Sequence, residues 1–346
     1  MKVNATDASM NYKVTNRAYT ARHLDALSPA QWEHFELDAR GFKYFAWCGS
    51  IAYVILDNKD CIIAVLVPPL LEDDHCPDEE HWMSTMEHVG ELFESKHEAA
   101  GGLSQQNRHP GEFTVLATGV LYDGGQKRPG NLAHSKWHQD LLCDLTDDAD
   151  VSRIANFQSD ALSSYFPKVY AHMYDSLGKL SRSQQELCHN FRGGSVYPTC
   201  TFNLGPNTVC LDHNDCNNAP DVSCTITVLR TFNADTGSEL YLWDLALIVR
   251  FLPGTTILLS SASMRHGNLP TQLGEQCYSM TQYCPGGLLR WVRHGLRPAS
   301  LLSKTKRAAI DEDHKAWWAE VLGWLSKYDK LEADREWLVR WEHGKA

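Results

Sequence analysis

Residues 239–260 read ELYLWDLALIVRFLPGTTILLS, and the punctuation of this stretch decides the fold class. Three short apolar runs, Glu239–Trp243, Ala246–Phe251 and Thr256–Ser260, are rich in β-branched and aromatic residues, and Leu252-Pro253-Gly254 turns the chain between the last two. Runs this short predict strands rather than helices. The same pattern extends outward on both sides. Thr199–Leu211 and Cys224–Phe232 precede it, Asp235-Thr236-Gly237 marks a second clear turn, and Cys277–Tyr283 follows. Short strands in series with tight turns predict a double-stranded β-helix of the jelly-roll, cupin-like kind, in which two sheets enclose a site. The fold class is therefore α+β with a mainly β core and helical additions.

The additions lie on both flanks. Ser28-Pro29-Ala30-Gln31 predicts a helix start running through Phe35. Lys43–Cys48, Ile51–Leu56 and Cys61–Val67 read as strands, with Asp57-Asn58-Lys59-Asp60 as a hairpin turn. Trp82, Met86, Val89 and Phe93 recur at helical spacing within 79–98, a pattern that belongs to a core face. A loop with Gly101-Gly102 and His109-Pro110-Gly111 precedes a strand at Phe113–Leu121, which ends in Asp123-Gly124-Gly125. Helices are expected over 132–145, 151–180 and 311–342, the last with Trp317, Val321, Trp324 and Tyr328 on one stripe. Three parts result: an N-terminal α/β elaboration over 1–112, a β-helix domain over 113–298 and a helical tail over 299–346.

The 346 residues, 43% of them apolar, suffice to bury about three-quarters of the unfolded surface, which excludes a disordered or fibrous chain. A net charge of -11 excludes a protein that coats nucleic acid or anionic membrane with its whole surface. Residues 1–10 have no apolar signal-peptide region, and the longest apolar run, Cys61 to Leu71, is broken by Pro68-Pro69. Eleven cysteines without a C-x-x-C pair fit reduced thiols. A nuclear or cytoplasmic protein, neither secreted nor membrane-bound, is expected.

Three H-x-D triplets occur, where about one is expected by chance among sixteen histidines. His138-Gln139-Asp140 falls in a predicted helix, where residues two apart diverge, and His23-Leu24-Asp25 lies in the leader. His213-Asn214-Asp215 is read at a strand end, so that both outer residues face one side, and His266 follows 53 residues later. Two histidines and a carboxylate on one face leave open positions on an iron(II) ion, as oxygenases require. Surface or turn-forming residues are the alternative on spacing alone.

From Phe113 to Pro298 the chain resembles the TET/JBP family of 2-oxoglutarate- and iron(II)-dependent dioxygenases, most closely its short fungal members. The matching stretches begin with Gly124-Gly125-Gln126, Pro129-Gly130-Asn131-Leu132, Thr201-Phe202-Asn203-Leu204-Gly205-Pro206 and Thr208-Val209-Cys210. They continue with the H-x-D, Leu242-Trp243-Asp244-Leu245, Pro253-Gly254-Thr255, Arg265-His266 with Asn268, Tyr278-Ser279, Thr281-Gln282-Tyr283 and Gly286-Gly287-Leu288. The resemblance implies that His213, Asp215 and His266 hold Fe(II), with 2-oxoglutarate and O2 as co-substrates. It also implies that Asn218 and Tyr283 read and stack a flipped base, an amide and a ring suited to that work. An Asn in a turn and a Tyr in the core are the alternatives for these two.

One departure stands out. The family places an Arg two residues before Ser279, in an R-x-S unit, where its fork binds the far carboxylate of 2-oxoglutarate. Here that position is Cys277. With Ser279 retained, Arg230 is the expected substitute, because a charged residue inside the apolar run Cys224–Phe232 wants a buried anion. Arg265 and Arg290 are weaker candidates, and a solvated surface Arg is the alternative for all three. From Gln276 to Ile310 the chain carries Arg290, Arg293, Arg297, Lys304, Lys306 and Arg307 and no acidic residue. With Trp291 interleaved, Arg290, Arg293 and Arg297 are expected to track a nucleic-acid backbone, and a solvated basic face without a ligand, the more frequent origin of a charge run, is the alternative.

The expected function is oxidation of a methylated nucleobase in DNA, 5-methylcytosine or N6-methyladenine, hence DNA demethylation in the nucleus. A catalytically impaired relative that binds modified nucleic acid, or a dioxygenase acting on a small molecule or protein side chain, are the alternatives.

Overall fold

The computed structural model describes residues 13–15, 18–25, 27, 31–70, 82–100, 113–122, 124–187, 190–191, 194–312 and 314–344. The helix start read at Ser28-Pro29-Ala30, residues 79–81, the loop with Gly101-Gly102 and His109-Pro110-Gly111, and Asp123 lie outside them.

The larger of two sheets holds β2 (Tyr53–Leu56), β3 (Ile62–Val67), β4 (Val115–Leu121), β5 (Gly130–Asn131), β6 (Thr199–Asn203), β7 (Cys224–Leu229), β10 (Thr256–Leu259) and β12 (Tyr278–Tyr283). The smaller holds β1 (Lys43–Phe45), β8 (Leu240–Leu242), β9 (Leu247–Val249) and β11 (His266–Asn268). Strand order is β2-β3-β10-β7-β12-β6-β4-β5 in the first and β1-β9-β8-β11 in the second. All pairs are antiparallel except β1 with β9. The double-stranded core predicted from residues 239–260 is thus present, and segments before residue 70 add strands to both of its sheets.

Alternation assigns the two faces of the larger sheet. Ile226 and Val228 of β7 and Tyr283 of β12 pack between the sheets, with Leu240, Leu242, Val249 and Ile257. The opposite residues, Leu229, Tyr278 and Met280, meet a helical layer. That layer comprises α2 (Trp82–Ala99), α3 (Lys136–Asp147), α4 (Ala149–Tyr165) and α5 (Pro167–Ser183), after a short α1 (His34–Ala39). Gln158 of α4 is fully buried yet satisfied, donating to Thr227 Oγ1 and Met280 O and accepting from Thr225 and Gln282. Trp82, Met86, Val89 and Phe93 are buried on α2, as their spacing predicts.

Several boundaries differ from expectation, each for a local reason. The strand expected over 199–211 stops at Asn203, because Gly205 is left-handed and Pro206 cannot donate to a ladder. The helix expected over 151–180 is two, broken at Phe166, which precedes Pro167. The terminal helix is likewise interrupted. After α6 (Gly286–Arg293) and α7 (Lys304–Glu312), α8 (His314–Leu322) and α9 (Leu331–Glu342) leave Trp324 and Tyr328 in the connection between them. Residues 31–33 are not helical, and Glu33 caps α1, where Glu33 and Glu36 form a reciprocal capping box. Among the described residues no helix is long and apolar enough to cross a membrane.

Asp221, in the loop before β7, is buried and its Oδ2 has no hydrogen-bond partner. Burial pushes its carboxyl up to about 7. The folded state therefore keeps a proton that the unfolded chain releases near pH 3.9. The stability this group contributes is complete below about pH 4 and is lost as pH rises through about 7. Raising the pH from about 5 to about 8 is expected to lower the melting temperature, and Asp221→Asn should flatten that fall. The gain at the upper end is on the order of 1–4 kcal/mol. Thermal melts of both proteins across this range check it, and identical profiles would refute it.

Candidate metal centre

His213 and His266 face each other across an isolated antiparallel bridge. Their backbones exchange two hydrogen bonds of 3.0 Å, from His213 N to His266 O and from His266 N to His213 O. His213-Asn214-Asp215 is therefore not the end of β6, as the sequence suggested, but an isolated bridge beside β11. The bridge does the work expected of the strand, since it brings the second histidine next to the first. Asp215 N donates to Ser261 O at 2.9 Å, which sets the carboxylate on the same side. His213 Nε2 lies 3.7 Å from Asp215 Oδ1, and the two imidazole centroids are 4.4 Å apart. One ligand atom from each of His213, Asp215 and His266 falls within 4.8 Å of the others.

The tautomers suit a metal. His213 Nδ1 is 2.8 Å from Leu211 O and His266 Nδ1 is 2.9 Å from Met264 O, and a carbonyl can only accept. Each Nδ1 thus carries the hydrogen and each Nε2 keeps its lone pair for a cation. Burial, with the neighbouring His213 ring adding to it, pushes the His266 imidazole down, toward the neutral form that ligates. Two such nitrogens and one carboxylate oxygen fit an octahedral iron(II) ion with positions left open.

The other expected site residues fall into three sets. Tyr283 lies on the core face and half-buried, its hydroxyl 3.5 Å from Thr201 Oγ1. Burial pushes its phenol up to about 12, and the Asp215 charge acts in the same sense. Asn218 is buried in the loop after Asp215 and its Nδ2 donates to Ser261 Oγ at 3.1 Å. Ser279 faces the core and accepts from Asn203 Nδ2 at 2.8 Å, while Asn203 Oδ1 is buried without a partner. Thr208 Oγ1 is likewise buried without a partner, and neither Asn203 nor Thr208 carried a spacing signal of its own.

The cations stand elsewhere. Cys277 is buried in the core between the sheets, with Ser238 Oγ 3.3 Å from its Sγ. Arg230 has a left-handed φ of 81°, which turns it out of the alternation of β7 toward α2. There it pairs with Glu94, and its Nε donates to Gln276 Oε1 at 3.0 Å. Alternation along β7 would put Arg230 on the face of Val228; its left-handed backbone leaves that pattern, and Glu94 is the anion it reaches. Arg265 is paired with Asp212, and Arg290 lies over the Tyr122 ring at 5.8 Å. The residues present thus fit iron and offer hydroxyls to a second carboxylate, but supply no guanidinium fork at position 277.

In the basic stretch, Arg293 stacks 3.9 Å above the Trp317 ring and Arg297 is exposed. Arg290 and Arg293 occupy the last turn of α6, where a cation suits the helix dipole. Trp291, expected to interleave with these cations at the surface, is buried against Tyr122 because the apolar stripe of α6 faces inward.

A second group, His88, Asp148 and Asp150, also brings ligand atoms within 4.8 Å. Its acids are committed to structure. Asp148 caps α4 through the Asp150 and Val151 amides and pairs with His88, and Asp150 accepts from Thr85.

No family model and no curated protein matches the chain. Among solved structures it is similar to NgTET1 in complex with 5mC DNA, at 15% identity and a TM-score of 0.49, covering 81% of this chain and 91% of that one. It is also similar to an oxidoreductase of the 2OG-Fe(II) oxygenase family from Burkholderia pseudomallei, at 15% identity and a TM-score of 0.30, over 64% and 85% of the two chains. OsALKBH1 is similar at 10% identity and a TM-score of 0.27, over 64% and 96%. The double-stranded core and the grouping of His213, Asp215 and His266 stand on this chain's own strands and distances.

Proposed function

We propose that the chain is an iron(II)- and 2-oxoglutarate-dependent oxygenase of the TET/JBP kind that oxidises a methylated base in DNA, 5-methylcytosine or N6-methyladenine. The observation that carries this reading is the convergence of His213, Asp215 and His266 beside β11 of the double-stranded core, each imidazole presenting Nε2. Bound iron with its co-substrates supplies the oxidising chemistry; the protein supplies aim and a dry pocket. His213, Asp215 and His266 hold the ion from one side and leave the other open. Tyr283 offers a ring face beside Asp215 for a flipped base, and Asn218 an amide for its edge. Ser279 would offer its hydroxyl to the far end of the 2-oxo acid. Arg290, Arg293 and Arg297 follow Tyr283 and supply local positive charge for a phosphate backbone in an otherwise acidic chain.

A second reading has one observation in its favour. Cys277 in place of the fork, with Arg230 held by Glu94, suits a catalytically impaired relative that binds modified nucleic acid.

Tyr283→Ala is expected to weaken binding of a methylated oligonucleotide by about 1–3 kcal/mol while leaving metal binding intact. Fluorescence anisotropy and metal titration of the same variant check this; equal loss of both would make Tyr283 a core residue only. The activity is tested by incubating iron-loaded protein with 2-oxoglutarate and methylated duplex DNA, digesting to nucleosides and measuring the hydroxymethyl product by mass spectrometry. Product from the wild type and none from Asp215→Ala is the expected result. Unaltered DNA with measurable binding would favour the impaired relative.

A further inference from the structure

The residues immediately before the two histidines form one buried unit. Asp212 precedes His213 and Arg265 precedes His266, and alternation turns both away from the side on which the ligands meet. Arg265 Nη1 donates to Asp212 Oδ2 at 2.7 Å, with side chains 8% and 0% exposed. Asp212 also accepts from Trp32 Nε1 at 3.1 Å and Leu27 N at 2.8 Å. Arg265 Nη2 donates to Asp25 O at 2.7 Å, and its backbone N–H donates to Asp244 Oδ2 at 2.7 Å. Between the first two ligands, Asn214 accepts from Leu24 N and donates to Arg22 O and Ala262 O, at 3.0, 2.9 and 2.8 Å.

We infer that Asp212 and Arg265 are positioning residues for the metal centre: their ion pair fixes the spacing of the two histidine-bearing segments and ties them to Asp25 and Leu27 of the N-terminal segment. The inference rests on the metal reading above. A charge-assisted pair with a planar fork has a preferred distance and plane, which packed apolar groups lack. Its two ends are each one peptide from a ligand, so a shift of either end displaces an imidazole. Partners of this kind behind metal ligands change affinity by about 10–100-fold when altered. The unit also gives the N-terminal segment a role in the site, since Asp25 O and the Leu24 and Leu27 amides complete its hydrogen bonding.

Cobalt(II) titration of the full chain with visible spectroscopy tests this. The proteins are wild type, Asp212→Asn, Arg265→Lys, the double variant Asp212→Asn/Arg265→Gln, and Val169→Ala as a core truncation in α5. Arg265→Lys keeps the charge and removes the fork, so its effect reports geometry. Both single variants are expected to weaken cobalt binding about tenfold or more and to change the intensity of the cobalt bands, while Val169→Ala leaves both unchanged. Unchanged affinity and bands in folded Asp212→Asn and Arg265→Lys overturn the inference. Failure of both singles and of the double variant to fold, when Asp215→Ala folds, also overturns it, because the pair then serves the fold alone. Absence of cobalt binding by the wild type overturns the metal reading instead.

Discussion

Alanine at His213 or at Asp215 is expected to abolish stoichiometric binding of iron(II) or cobalt(II) while leaving the fold intact. Each residue supplies one of three ligand atoms within 4.8 Å, and neither lies in a ladder or in the apolar core. Removing one leaves two donors, too few to hold a labile divalent ion against water. Both side chains are only half-buried, so truncation opens little cavity. Metal content by mass spectrometry, with circular dichroism to confirm the fold, measures the effect. Full metal content in both variants would show that the ion sits elsewhere, with His88, Asp148 and Asp150 as the alternative group.

The second large effect concerns position 277. Wild-type protein loaded with metal is expected to bind 2-oxoglutarate weakly, because Cys277 faces Ser238 where a guanidinium fork is otherwise needed. Two charge-assisted hydrogen bonds of about 1.5–3 kcal/mol each correspond to some two to four orders of magnitude in affinity. Cys277→Arg should recover about tenfold or more of it, since β12 already carries Ser279 on the same face. Arg230→Ala should leave 2-oxoglutarate binding unchanged and lower stability instead, as Glu94 loses its cation and keeps only the Gln276 amide. Calorimetric titration of the three metal-loaded proteins separates the outcomes. Tight wild-type binding that is lost in Arg230→Ala would return the anchoring role to Arg230.

The β core was legible because its signals are local. Alternation in β7 and β12, and the turns at Leu252-Pro253-Gly254 and Asp57–Asp60, each lie within a few residues of what they determine. What pairs with what was not legible. The parallel match of β1 to β9 and the addition of β3 to β10 join segments far apart in sequence, and no nearby residue encodes them. The candidate site divides the same way. His213, Asp215 and His266 showed themselves by type and spacing, aided by the family resemblance. Asp212 did not, and Arg265 was read only as a weaker candidate for the co-substrate, since nothing local joins it to Asp212 or joins Asp212 to the Leu27 amide 185 residues away. Arg230 shows a third kind of limit: a charge in an apolar run signals a buried anion but not which one, and a left-handed residue turns it to Glu94.

The account depends on where a divalent ion sits, and an anomalous-difference map from crystals of the cobalt-loaded protein measures that directly. The expected result is one strong peak bounded by His213 Nε2, His266 Nε2 and an Asp215 carboxylate oxygen, with the Nδ1 atoms still facing the Leu211 and Met264 carbonyls. A peak at His88, Asp148 and Asp150, or cobalt bound with none of the three proposed ligands in contact, would contradict it.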